Sequence, residues 1–362
     1  MKIDFAKLQD QYQLYKTEID EAIHAVLDKS NYIMGEEITQ LEESLQEFTK
    51  TKYAISCSSG TDALLLAMMA MDIKPGDEII TTPFTFIATS ETIAFLGAIP
   101  IFVDIDEKTY NIDPNKIEEK ITSKTKAIIP VSLYGQPANM ETIQDIADKH
   151  NLKVIIDGAQ SFGSTFNKKT DSNLGDFSTT SFFPAKPLGC FGDGGAVFTN
   201  NEEYALKMKS LRVHGQSKRY HHKYIGIGGR LDTIQAAVLN VKLKYYNQDL
   251  ALRQEVASKY TKALDNKSNL VLPFVDHNAT SAWAQYSIRV KNRDELQVRL
   301  KENGIPTAVH YPMPLHLQEC FKYLGYKKGD FPISETIAEE IMSLPMNPYL
   351  SDEEIKFITE RL

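Results

Sequence analysis

Apolar residues recur at helical spacing over 16–29 (Ile19, Ile23, Val26, Leu27) and again over 36–50 (Ile38, Leu41, Leu45, Phe48). The period then shortens. Tyr53–Cys57 is a short apolar run that ends in Ser-Ser-Gly-Thr and passes into a helical stretch over Asp62–Met71. After the turn Lys74-Pro75-Gly76-Asp77, Glu78–Thr81 reads as a strand, 87–96 as a helix and Ile101–Asp104 as a strand. Ala127–Pro130 and 139–150 form the next strand and helix, and Val154–Ile156 runs into Asp157. Short continuous apolar strands alternating with helices predict an α/β domain, its mainly parallel sheet covered on both faces.

Beyond about residue 240 the pattern changes. Residues 234–264 read as a long helical connector, Ala282–Val290 as a strand and 294–303 as a helix. Pro306–Tyr311 and a C-terminal helix around 334–342 follow. A large domain over 1–240 and a smaller α+β domain over 241–362 are expected, and 362 residues suffice for two cores.

Charge and cysteine usage narrow the partners. A net charge of −8 and a pI near 5.6 argue against nucleic acid, which needs clustered positive charge. Cys57, Cys190 and Cys320 show no CxxC spacing, so neither a disulfide frame nor a zinc site is expected. His221 and His222 are adjacent and lack acidic partners at ligand spacing, so no metal is expected there either. Met1–Phe5 lacks the basic-then-apolar character of a secretory signal, and no apolar run approaches the length of a bilayer span. The expectation is a cytoplasmic protein without a membrane partner.

Three stretches carry candidate chemistry. Asp157 stands at the carboxyl end of a strand, where open parallel sheets place ligands. A carboxylate there can keep a pyridine nitrogen protonated; it can equally be a simple turn residue. Lys186 lies in Ser181-Phe182-Phe183-Pro184-Ala185-Lys186-Pro187-Leu188-Gly189, close to the glycine-dense Gly192–Gly195. That context is poor for a solvated helix lysine, and partial burial would depress its pKa as a Schiff-base amine requires. Ser58-Ser59-Gly60-Thr61-Asp62-Ala63 sits at a strand-to-helix junction, where free N–H groups bind phosphate or an N-cap simply forms. Phe86 can stack on a flat ring or belong to the core.

In this order the stretches resemble the sugar aminotransferases of the DegT/DnrJ/EryC1/StrS family. The resemblance runs from "NYIMGEE" and "SSGTDAL" through "TPFTFIATSE", "IDGAQSFG" and "SFFPAKPLGCFGDGGAVFTN" to "RLDTIQAA", "PTAVHYPMPLH" and "SLPMNPYL". It implies the aspartate-aminotransferase type of fold, with a seven-stranded, mostly parallel sheet in the large domain, and pyridoxal 5'-phosphate as cofactor. Lys186 would carry the cofactor and shuttle the proton, Asp157 would pair with the pyridine nitrogen, and Gln160 would lie near the ring's phenolic oxygen. Gly60, Thr61 and Ser181 would hold the phosphate, with Phe86 stacked on the ring. Relatives with His in place of the lysine are dehydratases, so Lys186 favours transamination.

The resemblance also implies a homodimer with active sites shared between subunits. Gly228 departs from the family pattern, which has Asn there to reach the neighbouring subunit's phosphate. Either that contact is lost, or a backbone N–H or water replaces it, or Tyr220, His221 or His222 compensates. Arg230 would act in the partner's site on a carboxylate, or form a structural ion pair. With His214, His310 and Tyr311 it completes the expected substrate-binding set. "SLYGQ" and "GQSKRYHH" look most like enzymes aminating C3 of a sugar nucleotide, closest to those acting on UDP-2-acetamido-2-deoxy-3-oxo-glucuronate with L-glutamate as donor in bacterial surface-polysaccharide synthesis. The alternatives are a dTDP-3-oxo-6-deoxyhexose 3-aminotransferase and, more remotely, a non-catalytic cofactor-binding sensor.

Overall fold

The computed structural model describes residues 1–362. Seven strands form the main sheet: β1 (Tyr53–Cys57), β2 (Glu78–Thr81), β3 (Ile99–Phe102), β4 (Thr125–Ile128), β5 (Lys153–Asp157), β6 (Phe177–Ser181) and β7 (Gly195–Thr199). Their order is β1-β7-β6-β5-β4-β2-β3. Only β7 runs against its neighbours β1 and β6; every other pairing is parallel. The carboxyl ends of the remaining strands therefore open on one side.

Eleven helices accompany them: α1 (Leu8–Leu14), α2 (Lys16–Lys29), α3 (Glu36–Thr49), α4 (Gly60–Ala70), α5 (Ala88–Phe95), α6 (Met140–His150), α7 (Glu202–Leu211), α8 (Thr233–Leu264), α9 (Arg293–Glu302), α10 (Pro332–Glu340) and α11 (Asp352–Thr359). Successive strand side chains point to opposite faces, which is why both faces need cover. Ile79 and Ile155 join a core with Leu64 and Leu66 of α4 and Met208 of α7. Their neighbours Ile80 and Ile156 join Ile143 of α6 on the other side. All four isoleucines are fully buried, each contributing roughly 1.5–3 kcal/mol relative to exposure.

The connector is one continuous helix. The first part of α8 (Ala236, Leu239, Tyr246) packs with Ile38, Leu41 and Leu45 of α3. Its last part (Val256, Tyr260, Leu264) packs into the smaller domain, where Ile3 also lies. The expected boundary at 240 thus falls inside α8, and the N-terminal segment reaches the small-domain core.

Element ends shift where local chemistry overrides pattern. Of Ala282–Val290, only Tyr286–Arg289 (β8) forms a strand, antiparallel to β9 (Ile341–Leu344). The helix expected over 334–342 stops at Glu340, because the apolar run that follows is buried throughout as β9. Near the C-terminus α11 adds a helix the apolar pattern did not mark. It starts at a reciprocal Ser351/Glu354 cap.

Candidate active site

The ends of β1, β5 and β6 and the loop after β2 enclose a cavity of about 520 Å³. β5 delivers Asp157 to its floor. The backbone there is held on both sides: Asp157 N donates to Pro130 O (2.9 Å), and Ser132 N donates to Asp157 O (3.0 Å). The carboxylate is buried. Oδ2 accepts from Thr89 Oγ1 at 2.7 Å and Oδ1 from Ala159 N at 3.2 Å. Two neutral donors leave a buried anion short of a cationic partner, which a protonated ring nitrogen would be.

Gln160 follows on the same turn. Its Oε1 accepts from Tyr134 N (2.8 Å), which leaves Nε2 as donor, 3.2 Å from the Tyr311 hydroxyl. Burial and the Asp157 carboxylate hold the Tyr311 phenol well above its ordinary value, so it stays protonated.

The β1–α4 junction forms a second wall. Ser59 caps the helix by accepting from Asp62 N (3.0 Å), and Gly60 and Thr61 open its first turn. The N–H groups of a first turn have no partner within the helix and suit an anion. A Cβ on Gly60 would lie 2.8 Å from the Ser181 Cβ, so only glycine lets this turn approach the end of β6. That close approach brings Gly60, Thr61 and Ser181 to one side of the cavity.

Lys186 comes from a loop that folds back on itself. Phe182 N donates to Gly194 O (2.7 Å), Cys190 N to Phe182 O (2.8 Å) and Lys186 N to Phe183 O (2.8 Å). Lys242 of α8 ties the far end by donating to Gly189 O at 2.7 Å. Desolvation lowers the Lys186 pKa, with the Asp157 charge acting in the opposite sense. An amine held this way gives up its proton more readily than a surface lysine.

Phe86 is not core. It is 54% exposed and lines the cavity, its ring centroid 6.1 Å from that of Tyr311. His310 lines the cavity too, with Nδ1 3.0 Å from Ser343 Oγ. The structure thus gathers Gly60, Thr61, Phe86, Asp157, Gln160, Ser181, Lys186, His310 and Tyr311 around one space.

His214, Gly228 and Arg230 lie outside this cavity. They sit behind the β1–α4 turn, where Ser58 N donates to Gly229 O (3.1 Å). A Cβ at Gly228 would meet the His214 ring at 3.1 Å, so the imidazole covers this glycine. Unlike Arg212, Arg289 and Arg293, Arg230 forms no ion pair within the chain.

The sequence reading assigned no role to Thr85, Thr89, Phe183, Asp193 or Gln285, which line or support the cavity. Thr85 and Thr89 had a signal, two threonines four apart where a helix begins. Their hydroxyls are 3.1 Å apart.

The fold and this cavity define a known class. Residues 13–362 match the DegT/DnrJ/EryC1/StrS aminotransferase family, and the chain belongs to it. It is 48% identical over 360 residues to the UDP-2-acetamido-2-deoxy-3-oxo-D-glucuronate aminotransferase of Pseudomonas aeruginosa, covering 99% of each chain. Among solved structures it is similar to S. venezuelae DesV, with a TM-score of 0.97 and 34% identity over 99% of this chain and 97% of that one. It also resembles NtdA of Bacillus subtilis, solved with bound cofactor PMP, at a TM-score of 0.91 and 32% identity over 99% and 84% of the two chains.

Proposed function

We propose that the chain transfers the amino group of L-glutamate to C3 of UDP-2-acetamido-2-deoxy-3-oxo-glucuronate, using pyridoxal 5'-phosphate, in the cytoplasmic synthesis of a bacterial surface-polysaccharide sugar. The observation that carries the chemistry is a desolvated Lys186 sharing one cavity with the buried carboxylate of Asp157. The likeness to the Pseudomonas enzyme supports the substrate.

The residues fit the cofactor. Asp157 offers the anion for a protonated ring nitrogen, Gly60, Thr61 and Ser181 offer donors for a phosphate, and Phe86 offers a ring face. Gln160 Nε2 is a donor at the cavity wall. When bound, pyridoxal phosphate supplies an electron sink that acidifies the donor's α-hydrogen. Lys186 removes that proton and later delivers one to the sugar carbon, which suits an amine whose pKa is lowered toward working pH. His310 and Tyr311 face the sugar.

Arg230 and His214 are proposed to act in the partner's site of a homodimer, Arg230 gripping a carboxylate through its planar fork. Gly228 leaves a backbone N–H for the partner's phosphate. Ile225 (91% exposed) and Tyr220 (76%) on the same segment support burial there by a second copy.

The test is a half-reaction screen. Enzyme loaded with pyridoxamine phosphate is mixed with each keto sugar, and the absorbance of the lysine-linked cofactor is followed. Return with the UDP-glucuronate derivative supports the assignment. Return only with dTDP-linked 6-deoxy sugars would replace the substrate but keep the chemistry.

A further inference from the structure

Behind Lys186 lies a second, smaller cavity of about 90 Å³. Phe5 and Gln11 of the N-terminal segment, Pro184 and Pro187 of the lysine loop, and Arg253 of α8 form its walls. Ala185, Lys186, Gln285 and His310 line both cavities, so the two spaces share one partition. At roughly 30 Å³ each, about three waters fit the smaller space.

The polar groups on these walls are incompletely paired. Arg253 is only 6% exposed; its Nη1 donates to Trp283 O at 2.9 Å, and its Nε is buried without a partner. Unlike Arg212 and Arg289, it forms no ion pair. Its charge is not stranded, because Asp249, also buried, stands one turn earlier on the same face of α8. That carboxylate is itself occupied, accepting from Gln11 Nε2 and from the Tyr349 hydroxyl, each at 3.1 Å. Gln285 adds an orphan of the opposite kind, since its Oε1 is an acceptor, buried and unbonded. Left so, each of these atoms costs about 1–3 kcal/mol. A carboxylate or halide could only accept, satisfying Arg253 and opposing Gln285, and an apolar filler would satisfy neither. Water both donates and accepts.

We infer that the smaller cavity is an internal water site, its waters accepting from Arg253 Nε and donating to Gln285 Oε1, and that it serves the active cavity as a water store. Amino transfer needs one. Release of the keto product of the donor hydrolyses a carbon–nitrogen double bond: the water oxygen becomes the ketone oxygen, and both its hydrogens stay on nitrogen. Condensation with the keto sugar later expels one water, so each turnover draws one molecule and returns one. Gln285 and Lys186 line both spaces, which puts the store beside the reacting groups. The role as a store rests on the amino-transfer reading; the water site itself does not.

The first arm of the test is a crystal structure of the holoenzyme in which water is ordered. Waters bonded to Arg253 Nε and Gln285 Oε1 are expected. An anion bound at Arg253, or side chains rearranged so that both atoms pair within the protein, overturns the inference. The second arm narrows the cavity from walls that the main cavity does not share, with Ala6→Leu and Ala284→Val. In single turnovers with L-glutamate, keto-acid release should slow about fivefold, the effect of losing one hydrogen bond of about 1 kcal/mol. The borohydride-trapped adduct and cofactor affinity should stay at wild-type levels. Ala6 lies in the half-buried N-terminal segment, so its variant remains readable where Ala284→Val fails to fold. Keto-acid release at the wild-type rate in a folded variant overturns the store, as does an equal loss of adduct and cofactor affinity. A wild type that forms no trappable adduct overturns the cofactor reading and the store with it, while the crystallographic arm still decides the water site.

Discussion

Replacing Thr89 with Val keeps the shape of the side chain and removes the one hydroxyl that reaches Asp157 Oδ2 at 2.7 Å. A hydrogen bond to a charged group contributes about 1.5–3 kcal/mol, and Asp157 is only 6% exposed, so water cannot readily take Thr89's place. The lost donor also frees Thr85, whose hydroxyl is 3.1 Å from that of Thr89. Urea unfolding of apoenzyme at fixed protein concentration should show a loss in that range. Cofactor titration should show weaker binding, about tenfold if roughly 1.4 kcal/mol of Asp157's preorganisation is lost. A double-mutant cycle with Asp157→Asn separates the bond from packing, because only the bond gives a coupling energy. Equal stability and equal cofactor affinity in Thr89→Val, within about 0.5 kcal/mol, would refute the idea that this threonine holds the carboxylate ready.

Lys186→Ala should abolish the borohydride-trapped adduct while leaving cofactor binding measurable; a persistent adduct would mean another lysine is used. Gly60→Ala should weaken cofactor binding tenfold or more and cost roughly 1–3 kcal/mol, since its methyl group would sit 2.8 Å from the Ser181 Cβ; equilibrium dialysis and urea melts check both. Glu42→Gln should cost about 3–5 kcal/mol in urea melts, because Glu42 receives Arg212 and the Ser56 N–H and hydroxyl in a buried cluster at β1, just before the β1–α4 turn. Lys242 is buried, and burial lowers its pKa to about 8. Between pH 8 and the unfolded value near 10.5 the unfolded chain binds more protons, so stability contributed at this site rises with pH. Urea melts of wild type and Lys242→Met should therefore diverge in favour of wild type, by roughly 3 kcal/mol, as pH is raised through that window.

Local order along the chain accounts for why much of the sheet and several side chains of the cavity could be marked in advance. Gly60 and Asp157 sit just after and at the end of β1 and β5, apolar runs whose ends are visible in one dimension, and Ser181 and Lys186 sit at the end of β6 and in the loop that follows it. The apolar pattern marked neither β6 nor β7: Phe177-Ser178-Thr179-Thr180-Ser181 is rich in hydroxyls, yet the strand is almost wholly buried, with β5 and β7 paired on either side of it. What pattern could not supply is contact between distant segments. Thr89 meets Asp157 across 68 positions, and Tyr134 meets His310 across 176.

Those long-range contacts decide what the visible residues can do. A lysine in a glycine-dense loop is only a candidate amine; its lowered pKa comes from walls supplied by the 308–311 segment and by Gln285, more than a hundred positions away. The same holds for orientation. Gln160 can present its amide nitrogen to the cavity only because the Tyr134 backbone N–H occupies its oxygen, a constraint from the loop after β4. Residue identity at strand ends therefore specifies which chemistry is possible, whereas the small domain and the crossing loops specify its protonation and aim. Variants in that second set should alter protonation and aim while leaving the strand-end residues in place. That separation is measurable only if the two sets act as distinct layers.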